Sequence, residues 1–308
     1  MKLSIISPVY KAEKIIDELV KRIIQTVTQI TDDYEIILVE DSSPDKSWDK
    51  IEAQCQLNKK VKGIKLSRNF GQHYAISAGI DSCKGDFAVI IDCDLQDDPK
   101  YISQLIKKAD NGFDIVYTSK FSRKHSGFKN ITASIFNRVF NYLAETQSSR
   151  SDVGSFSLIS RKVIDAYKKI NDSRRHYLMI LRELGFKHTY VNIEHQERFE
   201  GKTSYSFSKL INHAIDGITF NSTKLLRISI GIGFMMCAVA FFWAMYLVFL
   251  YIFRTIPEGY TSLMVMLLLS TGIILISIGI TGIYIGNIFQ QVKGRPLYFI
   301  DEKLNEDS

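Results

Sequence analysis

Cysteine is scarce in this chain, with four in 308 residues, and proline is nearly as rare, with five. Cys55, Cys83, Cys93 and Cys237 are scattered and form no C-x-x-C pair. That spacing excludes a zinc ribbon and fits reduced cytosolic thiols better than a disulfide framework. No G-x-G-x-x-G follows a strand-like segment and no G-x-x-x-x-G-K-[ST] occurs, which disfavours a dinucleotide-binding Rossmann domain and a P-loop. The start, MKLSIISPVYKAEK, does not read as a signal peptide: its apolar stretch is short, holds Pro8 and lacks a small-residue cleavage site.

Charge is missing altogether from two long runs, Ile228 to Phe253 and Gly259 to Val292, with Arg254 and Glu258 between them. A bilayer core of roughly 30 Å needs about 20 helical residues to cross it, so each run is long enough to span with some tilt. A buried helix of a soluble protein is the alternative, but such helices seldom stay uncharged this long. Lys209, Lys224 and Arg227 precede the first run, and Lys293, Arg295 and Lys303 follow the second. The bias of basic residues toward the inner side predicts a hairpin in the cytoplasmic membrane with both termini in the cytoplasm. Gly282 and Gly286 form one G-x-x-x-G, a weak signal for close helix approach that chance also produces.

What is present before those runs is an alternation of periods. LSIIS (3–7), EIILVE (35–40), VKGIKLS (61–67), DFAVIID (86–92) and FDIVYTS (113–119) read as buried strands. Between the first two, Ala12, Ile15, Ile16, Leu19, Val20, Ile23, Ile24 and Val27 fall on one helical face. Strands alternating with helices predict an α/β layered domain with a mostly parallel sheet, whose ligands bind outside the carboxyl ends of the strands. Glu40, Asp41 and Asp45, and then Asp92, Asp94, Asp97 and Asp98, gather at two such ends.

From Lys120 to Arg150 six cations, Lys120, Arg123, Lys124, Lys129, Arg138 and Arg150, stand against Glu145 alone. Ile131, Ile135, Phe136, Val139, Phe140 and Leu143 fall on one helical face between them. Such a basic amphipathic helix is suited to anionic headgroups, or to covering the sheet. Nucleic acid is not an expected partner.

The acidic strand ends carry the chemistry. Asp92 and Asp94 are two apart, so in extended chain they point the same way and a hard divalent cation, Mg²⁺ or Mn²⁺, can join them to a phosphorylated ligand. Asp98 before Pro99 reads instead as the start of the next helix. Asp41 can accept a hydrogen bond from a base N–H, while Ser42, Ser43 and Asp45 shape the turn. Arg198 and Lys202, around Gly201, are placed to neutralise a diphosphate or an acceptor phosphate, or simply to anchor the chain at the interface.

P-V-Y at 8–10, VEDSSPD, LSRNFGQHYAISAGI, DCDLQDDP, GSFSLISRKVID and RFEGKTSYSFSKLINHAIDGI follow in this order. Together they resemble the family 2 inverting glycosyltransferases that charge a polyprenyl phosphate with one sugar, such as undecaprenyl-phosphate glucosyltransferases and dolichyl-phosphate mannose synthases. The resemblance covers essentially the whole chain. It implies a GT-A fold, Rossmann-like, over residues 1–205, a juxtamembrane helix at 206–227, two transmembrane helices at 228–292 and a cytoplasmic tail at 293–308. It implies nucleotide contacts at Pro8, Tyr10, Val39 and Asp41. Asp92, Cys93 and Asp94 are implied around diphosphate and metal, with Asp94 the main metal ligand and Gln96 close by. Arg198 matches a diphosphate-binding arginine, and Lys120 falls where relatives often carry an arginine near the phosphates. The chain departs from the pattern at Lys11 and Ala12, where Asn-Glu is usual, and at Gly154-Ser155-Phe156, where G-D-F is usual. Asp152 is then the nearest carboxylate. Thr203-Ser204 replaces the usual Ser-Lys, and Lys202 is the neighbouring charge.

The function implied is transfer of one sugar, glucose from a UDP-sugar being the first expectation, to undecaprenyl phosphate with inversion. A transferase acting on a lipid-linked glycan is the alternative. A processive polysaccharide synthase is disfavoured: Trp48 and Trp243 are the only tryptophans and neither lies in a Q-x-x-R-W motif. A scaffold that binds nucleotide sugar without turnover leaves Asp92, Asp94 and Arg198 unexplained. Small residues in the spans permit a homo-oligomer.

Overall fold

The computed structural model describes residues 1–120, 153–172, 175–193, 222–253 and 259–306. The chain divides into two compact units. One comprises Met1–Lys124, Arg150–Lys202 and Arg295–Ser308, the other His125–Ser149 and Thr203–Gly294. The basic stretch at 123–150, Asp152, Arg198, Lys202 and most of the expected juxtamembrane helix lie outside the described residues.

In the first unit, strands and helices alternate as β1 (Leu3–Val9), α1 (Ile16–Val27), β2 (Tyr34–Glu40), α2 (Ser47–Leu57), β3 (Val61–Leu66), α3 (Gln72–Ser82) and β4 (Phe87–Ile90). They continue with α4 (Ile102–Asp110), β5 (Ile115–Lys120), β6 (Val153–Ser160), α5 (Arg161–Lys169), α6 (Tyr177–Glu183) and β7 (His188–Ile193). A last strand, β8 (Ile300–Leu304), completes an eight-stranded sheet of order β7-β5-β6-β4-β1-β2-β3-β8. The β1–β2, β1–β4, β2–β3 and β5–β7 pairs are parallel; β6 and β8 run antiparallel to their neighbours. This is the mostly parallel, Rossmann-like GT-A architecture.

The central strands are buried on both faces, which is why they read as unbroken apolar runs. Successive residues divide between two cores. Leu3, Ile5, Ile36 and Leu38 pack with residues of α1, α2 and α4. Ile6, Ile37 and Val39 pack with residues of α3, α5 and α6. In α1, Ile16, Leu19, Val20, Ile23 and Val27 recur at helical spacing and form its buried stripe. On the other face Gly79 brings α3 against β1: a Cβ there would run into Ile6 Cγ2.

The ladder between β1 and β4 ends with Ile6 opposite Ile90, and Ile91 N–H still donates to Ile6 O at 2.9 Å. β1 itself continues to Val9 along β2. Pro8, which has no N–H to give, therefore sits where one of the two ladders has stopped. That parting of β1 from β4 opens the carboxyl edge of the sheet.

The expected tail is partly a strand. β8 pairs with β3, with Gly63 opposite Leu304 and Ile64 opposite Lys303. Its consecutive exposed charges, Asp301, Glu302 and Lys303, are those of an exposed edge strand.

In the second unit, α7 (Lys224–Phe253) and α8 (Tyr260–Val292) are long and apolar enough to cross a membrane. Their apolar side chains face outward, Phe234 at 75% exposed and Val292 at 78%. Ser229 Oγ donates to Ser277 Oγ at 2.9 Å and Tyr284 OH to Ser222 O at 2.7 Å. These pairings place the two helices side by side and antiparallel, as in a hairpin. A Cβ added at Gly282 or Gly286 meets nothing within 4 Å, so the G-x-x-x-G makes no close approach between them.

Candidate active site at the carboxyl edge of the sheet

The site is built on loops that leave β1, β2 and β4 and on the turn entering α3. Asp41 follows the last residue of β2, is 3% exposed, and donates its N–H to Val9 O at 3.0 Å. Its carboxylate accepts from Phe70 N–H (2.7 Å to Oδ1) and Gly71 N–H (2.8 Å to Oδ2), while Asn69 Nδ2 donates to Asp41 O at 3.1 Å. Gly71 has φ +105°, a conformation that side chains other than hydrogen seldom adopt, and this lets consecutive amides face one carboxylate. Burial pushes the Asp41 carboxyl up, against the lowering effect of the two amides and of the Arg68 charge. Each oxygen retains a second lone pair for a ligand N–H.

Its neighbours shape the turn. Asp45 accepts from Ser43 Oγ and Ser47 Oγ, both at 2.6 Å, and from Glu13 N–H at 3.2 Å. Burial would raise its carboxyl, but these hydrogen bonds together hold it below the usual range. Glu40, also buried, accepts from Ser43 N–H, and burial pushes its carboxyl up.

Asp92 and Asp94 lie beyond the strand, and Asp94 is in a turn. β4 stops at Ile90 and the backbone turns, with Leu95 in the left-handed region at φ 55°. The two carboxylates are therefore placed by the turn and its neighbours instead of by strand alternation. Asp92 accepts from Gln72 Nε2 on Oδ1 and from Ser155 Oγ on Oδ2, each at 2.7 Å. Asp94 Oδ1 accepts from Gln96 N–H at 3.1 Å, so Gln96 shapes the turn through its backbone. Asp98 accepts from Lys100 N–H at 3.0 Å and caps the short helix starting at Pro99, as its sequence predicts. Cys93 is half-buried; burial pushes its thiol up to about 12, offset in part by a hydrogen bond from the Tyr10 backbone.

Of the other expected contacts, Tyr10 is exposed at the end of β1 with Lys11 Nζ 5.4 Å from its ring centroid. Val39 is wholly buried in the core under α3, so its side chain forms the floor of the site instead of its surface. Lys120 closes β5, opposite Ile193 of β7. Pro8 near the end of β1, and Tyr10, Asp41, Asp92, Cys93, Asp94 and Gln96 on the segments that follow β1, β2 and β4, thus lie at one edge of the sheet.

Asp92 and Asp94 are both half-buried hard oxygen donors on one short turn. They fit a divalent cation that takes one or two protein carboxylates and completes its shell with substrate phosphates and water. Among the described residues no cluster of three or more His, Cys, Asp or Glu side chains forms an all-protein cage.

The residues without an assigned sequence role are Phe70, Gly71, Gln72 and Ser155. Gly71 sits inside the motif LSRNFGQHYAISAGI, and Ser155 is the departure from G-D-F. Both carried a signal, but nothing in the sequence tied them to Asp41 or Asp92.

Residues 4–168 match the model of glycosyl transferase family 2. Over 304 residues the chain is 35% identical to an uncharacterized glycosyltransferase of Synechocystis sp., covering 98% of this chain and 95% of the relative. Over 311 residues it is 32% identical to the undecaprenyl-phosphate 4-deoxy-4-formamido-L-arabinose transferase of Photorhabdus laumondii, covering 99% and 95%. Glucosyl-3-phosphoglycerate synthase from Mycobacterium tuberculosis, crystallised with Mn²⁺, UDP and phosphoglyceric acid, superposes with a TM-score of 0.52. That likeness covers 71% of this chain and 76% of the other at 16% identity, and it is a likeness of fold. With its acidic turn at the carboxyl edge of a GT-A sheet, the chain belongs to glycosyl transferase family 2 and is a glycosyltransferase.

Proposed function

We propose that this enzyme transfers one sugar from a nucleoside diphosphate sugar to a polyprenyl phosphate, with inversion, at the cytoplasmic face of a membrane. The observation that carries the reading is the pairing of two acidic loop ends, Asp41 and Asp92/Asp94, in a chain that also holds two outward-facing apolar helices. Full-length relatives named as undecaprenyl-phosphate sugar transferases support the acceptor class. Glucose is the first sugar to test and 4-deoxy-4-formamido-L-arabinose the second.

Asp41 receives the base of the nucleotide, with Pro8 and Tyr10 beside it. Asp94 and Asp92 would hold a Mg²⁺ or Mn²⁺ ion, which would supply positive charge to neutralise the departing diphosphate. Arg198, Lys202 and Lys120 supply further positive charge to the phosphates. The acceptor is already an oxyanion at neutral pH, since a phosphomonoester has a second pKa of about 6 to 7. Its oxygen attacks the anomeric carbon from the face opposite the leaving diphosphate, forming the new C–O bond as the old one breaks. No strong general base is required, so serine at position 155 is tolerated and Asp152 is an auxiliary group.

Strand β8 supports the orientation. It pairs with β3 in one sheet, so chain on either side of the helical pair ends on the same side of a bilayer. That supports a hairpin of two crossings. The basic flanks support that side being cytoplasmic.

The test is a radiolabel assay with purified full-length protein, UDP- and GDP-sugars, Mn²⁺ or Mg²⁺, and a short polyprenyl phosphate. The expected product is a labelled, mild-acid-labile lipid that EDTA abolishes. Label appearing only on a lipid-linked glycan would support the alternative acceptor, and donor binding without any transfer would support a scaffold.

A further inference from the structure

Asp92 lies just past the end of a strand ladder, where backbone pairing no longer fixes a side chain, yet both its oxygens are held. Ile90 is opposite Ser157 in the antiparallel β4–β6 pair, so continuing that register brings Ser155 opposite Asp92. Ser155 Oγ donates to Asp92 Oδ2 at 2.7 Å, and Ser155 O in turn accepts from Ser157 Oγ at 2.8 Å. From the other side, Gln72 Nε2 donates to Asp92 Oδ1 at 2.7 Å. Gln72 is the first residue of α3 and follows Gly71, whose N–H is committed to Asp41. One four-residue turn, Asn69 to Gln72, therefore touches both acidic loop ends.

We propose that Gln72 and Ser155 are positioning residues that clamp Asp92 in the orientation required for metal-dependent binding of the nucleoside diphosphate. This rests on the donor-site reading above. Both clamping groups are neutral donors. They fix the carboxylate without neutralising its charge. A charged clamp would not do this: a lysine would compete with the cation, and an aspartate at position 155 would set like charge against Asp92 at hydrogen-bond distance. The serine that breaks the usual G-D-F pattern is thus part of how this site is built, and it has a partner in Gln72.

The clamp is tested on the full-length protein by calorimetric titration of UDP and GDP, each with and without Mn²⁺. Ser155→Ala and Gln72→Ala are each expected to weaken the Mn²⁺-dependent affinity on the order of tenfold, the loss expected for one hydrogen bond to a charged group. Metal-free nucleotide affinity, which rests on Asp41, is expected to stay at the parent value. Ser155→Thr, which keeps the hydroxyl, is expected to restore the Mn²⁺-dependent part, and Ser155→Asp to weaken it at least as much as alanine does. Parent-like Mn²⁺-dependent affinity in both alanine variants would overturn the proposal. An equal fall in the metal-free affinity, or tighter Mn²⁺-dependent binding by Ser155→Asp, would overturn it too. If the unaltered protein shows no Mn²⁺-dependent binding of either nucleotide, the donor-site reading fails with it.

Discussion

The ring of Phe299, in the segment that follows the second apolar helix, lies 6.4 Å from the ring of Phe70, tilted by 43°. Phe70 is the residue whose N–H holds Asp41, and Ser67 N–H donates to Phe299 O at 2.9 Å. Tyr298 OH donates to Asp81 Oδ2 at 2.7 Å, near the end of α3. The chain after the two apolar helices is thus fastened to the loop that holds Asp41.

That fastening ends on Asn305, which adopts φ 55° and donates Nδ2 to Cys55 O (2.7 Å) and Val61 O (2.8 Å). Asn305→Ala leaves two part-buried carbonyls without this donor and adds a strained left-handed alanine. The expected cost is about 1–3 kcal/mol, read as a lower denaturation midpoint of the full-length protein. An unchanged midpoint would show that β8 contributes nothing to the sheet's stability.

At the opposite end of the sheet, Glu35 is buried and accepts from Ser4 Oγ and Lys84 N–H, both at 2.6 Å, with Lys62 Nζ 3.0 Å away. Burial alone would raise its carboxyl, but Ser4, Lys84 and Lys62 together hold it below the usual range. A group lowered on folding stabilises the fold above its unfolded pKa, and that contribution is lost as pH falls through the folded value. Stability measured from pH 7 downward should therefore drop less steeply in Glu35→Gln than in the parent. Superimposable acid limbs would contradict the role assigned to this network.

Asp41 behaves in the opposite sense. Burial raises its carboxyl, so its charge costs the fold stability above the folded pKa, and that stability is regained as pH falls through the raised value. On the proposed role of Asp41, nucleotide binding runs the other way, because the acceptor for a base N–H is the carboxylate. Metal-free affinity for UDP should weaken on acidification at a pH above the ordinary aspartate range. Asp41→Asn turns an NH₂ toward the amide of Phe70 or Gly71, and a loss on the order of tenfold or more is expected. Retained affinity in Asp41→Asn would remove Asp41 from the site.

Cys93 stands between the two acidic residues, but with its thiol pushed up to about 12 it stays protonated and unreactive at neutral pH. Cys93→Ala should leave turnover near the parent level, and iodoacetamide should not inactivate the enzyme. Rapid inactivation that Cys93→Ala prevents would contradict this.

The layered fold was legible because its core strands are buried on both faces. Ile36 to Val39 and Val89 to Ile91 are apolar without interruption and leave few other structures open. The start of α1 was less so: the apolar period begins at Ala12, but the regular helix begins at Ile16 after a turn in which Ile15 N–H donates to Ala12 O. β8 was not legible, because IDEKL sets three consecutive charges between two apolar residues, with no strand period, and its sign of being a strand is its partner β3, far away in sequence. The acidic residues of the site announced themselves. Their holders did not, since Gln72 and Ser155 reach Asp92 from other elements, and the turn at Cys93–Asp94 replaced the strand geometry the D-x-D spacing implied.

The most direct measurement compares Asp94→Asn with Asp152→Asn for transfer of labelled sugar to polyprenyl phosphate by folded, full-length protein. With an acceptor that is already an oxyanion, Asp94→Asn abolishes the labelled lipid while Asp152→Asn only weakens its formation. Equal and complete loss in both variants, with folding intact, would show that a general base is required and that the acceptor is not a phosphate.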